Sequence, residues 1–153
     1  MRLTKRNLYD KDVYDDVVKR IQTLSPDDTP AWGKMDAGQM LAHCAEAQDV
    51  INGKNLKGTP FFVKLFSGLI RNTVVNEKPY RKDTPTHPQY KQLASVDFEQ
   101  EKKRLLDALA TFYSMDKAEA EKLEHPLFGT MSLEERGWAS FKHLDHHLKQ
   151  FNV

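Results

Sequence analysis

The run Ser132-Leu133-Glu134-Glu135-Arg136-Gly137-Trp138-Ala139-Ser140-Phe141-Lys142-His143-Leu144-Asp145-His146-His147-Leu148-Lys149-Gln150-Phe151 reads as one long amphipathic helix. Ser132 and Glu135 have the spacing of a capping box, and Gly137, Phe141, Leu144, Leu148 and Phe151 recur on one side at helical intervals. At about 100° per residue, His147 lies roughly 80° from the centre of that stripe and His143 roughly 120°. His146 points nearly opposite the stripe, toward solvent, and Asp145 points elsewhere. His143 and His147 are four residues apart, a spacing at which two imidazoles lean the same way and can chelate one ion.

Three further stretches carry the same period. Tyr9 to Leu24 places Val13, Val17, Ile21 and Leu24 on one face and stops before the turn formers Ser25-Pro26-Asp27-Asp28-Thr29-Pro30. Asp36 and Gln39 resemble a second capping box, opening a helix to about Asn52 before Gly53. Its small residues Ala37, Gly38, Ala42, Ala45 and Ala47 suit close approach by a neighbour. Val96 to Met115 sets Phe98, Leu105, Leu109 and Phe112 in register, with Ser95 or Asp97 as cap. Between the second and third lies Gly58 to Leu93, an apolar helix-like segment followed by a stretch whose prolines 79, 85 and 88 predict an extended loop. No strand alternation or internal repeat stands out. The expectation is all-α: a four-helix bundle with a long crossover connection, one domain over residues 1–153, with sites built from facing helices.

Composition narrows the function classes. Twenty-three Lys and Arg against 22 Asp and Glu leave a formal charge of +1, without the basic excess that neutralises a phosphate backbone, so nucleic acid is not expected as a partner. The single cysteine, Cys44, excludes an intramolecular disulfide framework and suits a reducing compartment. The charged start Met1-Arg2-Leu3-Thr4-Lys5-Arg6 lacks the apolar core of a signal peptide, and the cytoplasm is the expected location. Phe61 to Val75 is short of the ~20 apolar residues of a membrane span and is broken by Lys64 and Arg71. It reads as a core-packing or dimer-contact helix, and no membrane association is expected. No GxGxxG, Walker loop or GxSxG element points to nucleotide binding or a serine hydrolase.

His43 shares a helical face with Met40, Ala47 and Val50, so its imidazole enters apolar surroundings and needs a partner. That partner is either a backbone carbonyl, as for an ordinary core histidine, or a metal ion shared with His143 and His147. The histidine pair has its own bland reading, since cations favour helix C-termini. Spacing by itself leaves both open.

The order of these residues resembles a known family. Met40-Leu41-Ala42-His43-Cys44 on the second helix, followed near the C-terminus by His143-Leu144-Asp145-His146-His147-Leu148-Lys149-Gln150, is similar to the DinB/YfiT-like metal-binding four-helix proteins. His125-Pro126-Leu127-Phe128-Gly129-Thr130-Met131 resembles an uncharacterised bacterial branch of that superfamily. The resemblance spans nearly the whole chain. It implies that His43, His143 and His147 hold one divalent metal, zinc or nickel, that His146 does not, and that homodimers form. Relatives that use bacillithiol or mycothiol imply a transferase acting on a small molecule with a low-molecular-weight thiol.

Three neutral imidazoles leave an ion's charge uncompensated and a coordination position for water or substrate, as at catalytic sites. A bound thiol would be deprotonated and a bound water acidified, so a thiol-dependent transferase and a metal-dependent hydrolase are both open. A helical binding protein without a functional metal is the non-enzymatic alternative. Gln39 and Glu46 are candidates to orient His43, and Gln150 to touch a ligand. Arg81, in the crossover with Tyr80 and His87, is a candidate to hold an anionic group of substrate or thiol. His125, Trp32 and Trp138 read as structural, and Cys44 as a buried apolar residue, turned about 100° away from His43.

Overall fold

Regular structure among the described residues of the computed structural model, 1–92 and 94–153, is helical. The elements are α1 (Lys11–Thr23), α2 (Ala37–Ile51), α3 (Phe61–Leu65), α4 (Ser67–Val75), α5 (Phe98–Ser114), α6 (Lys117–Lys122) and α7 (Leu133–Gln150), with a 3-10 turn at Pro88–Tyr90. An isolated antiparallel bridge joins His125 to Gly129. Leu93, the end of the expected crossover, lies outside the described residues.

The sequence signals explain where the helices begin. Asp36 with Gln39, and Ser132 with Glu135, form reciprocal capping boxes that satisfy backbone N–H groups left over at the first turn. Asp97, rather than Ser95, caps α5 by accepting from Gln100 N. α6 lies outside the four expected helices; Asp116 opens it by accepting from Ala118 N and Glu119 N, and its six residues are too few to show a period. The apolar segment after Gly58 is two short helices, interrupted at Phe66 before the poor helix formers Ser67 and Gly68.

α2 lies against both α5 and α7, and α1 also packs on both. The most extensive contact is between α2 and α5, in keeping with burial of Ala37, Gly38, Ala42 and Ala45. Val13, Val17, Ile21, Leu105, Leu109, Phe112, Leu144 and Leu148 meet in one core, and Tyr9 stacks on Phe112 with ring centroids 4.3 Å apart. No helix among the described residues is long and apolar enough to cross a membrane.

Two buried cations on α7 fix its neighbours. The Arg136 guanidinium donates to the carbonyls of Ile51, the last residue of α2, and Leu123, the residue after α6. Lys142 Nζ donates to the Thr73 carbonyl at 2.6 Å and the Asn76 carbonyl at 2.9 Å, at the end of α4. Each cation thus meets the negative end of a helix dipole and carbonyls that have no intrahelical donor. Lys142→Met would leave the Thr73 carbonyl without its donor and the Asn76 carbonyl with Trp138 Nε1 alone, and should lower stability by about 1–3 kcal/mol. Urea denaturation measures the loss, and amide exchange should quicken first in α4.

Candidate metal centre

His43 comes from the middle of α2, and His143 and His147 from consecutive turns of α7. Contact between the two helices brings the three rings together, with centroids 5.0 Å apart for His43 and His143, 4.6 Å for His43 and His147, and 4.8 Å for His143 and His147. One ring nitrogen from each lies within 4.8 Å of the others, so the three could hold a metal ion. His43 is buried, whereas His143 and His147 keep part of their surface exposed.

Hydrogen bonds orient two of the rings. His43 Nδ1 is 2.9 Å from the Tyr90 carbonyl, and His147 Nδ1 is 2.9 Å from Gln150 Oε1. Both partners are acceptors, so the neutral imidazoles carry their proton on Nδ1 and present Nε2 with its lone pair. His43 Nε2 is 3.0 Å from His143 Nε2. Two ligands at the usual zinc–nitrogen length stand about 3.3 Å apart on a tetrahedral ion, so the His43–His143 spacing fits a first-row divalent metal, with the His147 nitrogen within 4.8 Å of both. The acceptors at the outer nitrogens are a carbonyl and an amide, which leave the ligand set neutral.

Burial is the largest influence on the charge of all three rings. Desolvation pushes the pKa of His43 down, that of His147 down to about 3, and that of His143 well below its ordinary value; neighbouring imidazoles add to the effect at His143 and His147, while the Tyr90 carbonyl and Gln150 oppose it at His43 and His147. The rings are therefore neutral near pH 7, the form a metal requires.

The other candidates fall elsewhere. Gln150 is buried, and its amide joins His147 to the Trp32 carbonyl, which it meets at 2.7 Å, so it holds a ring. Arg81 is exposed in the loop after Tyr80, and no contact joins it to the three histidines among the described residues. Gln39 is occupied in its capping box and with the Ala94 carbonyl. Glu46 pairs with Lys54 and Arg104 and accepts from Gln89 Nε2 at 2.7 Å. It thereby holds the turn that carries Tyr90, and reaches His43 only through that turn. His146 does not point into solvent: the loops bearing Trp32 and Tyr80 cover it, with ring centroids 5.8 and 5.6 Å away. His87 bonds Thr59, and His125 Nδ1 accepts from Leu127 N and Phe128 N within its turn. Cys44 is buried, which raises the pKa of its thiol.

Sequence reading missed the Tyr90 carbonyl, since a backbone acceptor leaves no mark on residue type. Gln150 was visible as a neighbour of the pair: three residues after His147, it shares that ring's side of the helix.

The family model described as a protein of unknown function (DUF1569) matches residues 3–153. No curated protein and no solved structure matches the chain.

The folded chain holds these histidines below their ordinary pKa of 6.5, so the unfolded chain takes up protons first as pH falls. Their contribution to stability is complete above pH 6.5 and is lost toward lower pH. In metal-free protein each histidine should steepen the decline by up to ~1.4 kcal/mol per pH unit. Denaturant unfolding at pH 7, 6 and 5 measures the slope, which His43→Ala with His147→Ala should flatten.

Proposed function

We propose that this chain, which belongs to the DUF1569 family, is a metal-dependent enzyme that holds one divalent ion through Nε2 of His43, His143 and His147. The observation that carries the reading is the convergence of three neutral imidazoles, two of them turned by acceptors at Nδ1 so that their free nitrogens face a shared point. In the same proposal the fold is a four-helix bundle of α1, α2, α5 and α7 with α3 and α4 in the crossover, of DinB/YfiT-like type. The all-helical architecture and the order of the three histidines support it. Zinc or nickel is the proposed metal.

When bound, the ion would supply Lewis acidity and lower the pKa of a thiol or water beside it. The neutral ligand set and its neutral outer acceptors favour an anionic fourth partner, thiolate or hydroxide; of the two, the DinB/YfiT-like resemblance favours a thiol-dependent transfer to a small molecule. Residues of the chain do the remaining work. The Tyr90 carbonyl holds His43, Gln150 holds His147, and the Trp32 and Tyr80 loops limit water at His146. Arg81, exposed in the loop after Tyr80, is the proposed cation for an anionic group of the thiol or substrate. The cytoplasm is the proposed location and a homodimer the proposed assembly.

Elemental mass spectrometry on tag-free protein tests the reading. About one equivalent of zinc or nickel is expected, lost in His43→Ala and in His143→Ala/His147→Ala. Substoichiometric metal after reconstitution with zinc, nickel, iron and manganese would overturn it. In cobalt-substituted protein a thiol should add a charge-transfer band, and absence of any thiol response would favour the hydrolase. Gln150→Leu should keep the fold and weaken metal affinity about 10–100-fold, measured by competition with a chelating dye.

A further inference from the structure

The outer side of α3 and α4 carries Phe61, Phe62, Leu65, Phe66 and Leu69, each 51–79% exposed. Among the described residues the other large hydrophobic side chain exposed to this degree is Met1. The five fall at helical spacing on one face, at about 100° per residue. The opposite face, with Val63, Ser67, Ile70 and Val74, is half-buried against the rest of the chain. This pair of helices is therefore apolar on two sides and covered by its own chain on one.

The helices cannot roll to hide the outer face. Arg71 is paired with Glu135 of α7 at 2.7 Å, Lys142 binds the carbonyls at the end of α4, and Trp138 Nε1 donates to the Asn76 carbonyl. Thr59, just before α3, is tied to His87 at 2.9 Å. The exposed side is a surface held in place.

We infer that this face is where two copies of the chain meet, in an isologous contact that pairs α3 and α4 of one with α3 and α4 of the other. At about 150–250 Å² per aromatic side chain and somewhat less per leucine, the five residues present on the order of 600 Å². That is at the upper limit of what a monomer leaves exposed. Two such faces remove on the order of 1,200 Å² from water, the lower end of the range for specific, stable interfaces. A self-complementary patch closes under two-fold symmetry, so the contact ends at a dimer. The stretch from Phe61 to Ile70 contains one charged residue, Lys64, on the flank of the apolar face, where its ammonium stays in water at the rim. The contact rests on the exposed face alone and is independent of the metal reading.

Sedimentation velocity on the full chain, from low micromolar to several hundred micromolar, tests it. The native protein should sediment at twice 17.7 kDa. Phe62→Glu and Leu65→Glu should each raise the dissociation constant at least ~100-fold, because each places a charge in the apolar centre. Both side chains are already in water in one copy, so circular dichroism and the melting temperature of the separated chains should stay the same. Lys103→Glu on exposed α5 should leave the dimer intact. A native protein that remains monomeric throughout, or a dimer indifferent to both glutamates, would overturn the inference. So would a monomer that cosediments with anionic vesicles, which would assign the face to a lipid surface.

Discussion

Cations on α7 that meet the carbonyl ends of other helices set the geometry on which the rest of the molecule relies. Arg136 and Lys142 are among the largest fully buried side chains, and both donate to backbone oxygens, Lys142 to Asn76 Oδ1 as well. Such bonds are directional as well as strong, because the charged donor and the helix dipole act together. Once the two cations are seated, α7 can neither slide nor turn without stranding a buried charge. The positions of the α2, α4 and α6 termini follow from theirs.

The histidine cluster inherits that constraint. His143 lies next to Lys142 in the chain, and His147 one turn further, so the direction of both rings is set by a helix whose rotation is already fixed. α2 is held from the other side, by the Arg136 bond at its last residue and by its contact with α5. Preorganisation of this kind lets three imidazoles converge without a carboxylate among them. It also explains why desolvation dominates their titration: the same packing that aligns the rings removes them from water.

Loops complete what the helices begin. Glu46 holds Gln89, Gln89 neighbours Tyr90, and the Tyr90 carbonyl turns His43. On the other flank Gln150 ties His147 to the Trp32 loop. The histidines and these loops are therefore joined through short hydrogen-bonded paths, and α3 and α4 are held through Thr59 at His87, Arg71 at Glu135 and the end of α4 at Lys142.

The sequence by itself determined the four long helices and the identity of the three histidines. Capping boxes at Asp36 and Ser132 and the apolar periods of the long helices are local matters, governed by backbone donors within a turn and by one face of one helix. An i, i+4 pair such as His143 and His147 is local in the same sense. Only the tertiary structure decided that His43, a hundred residues away, faces that pair, that His146 is covered and that Gln150 serves a ring. It also decided that the apolar run after Gly58 buries one side only. Each of these depends on which helices touch and on where backbone carbonyls come to rest. Those are properties of packing between distant segments, which residue type and spacing do not encode.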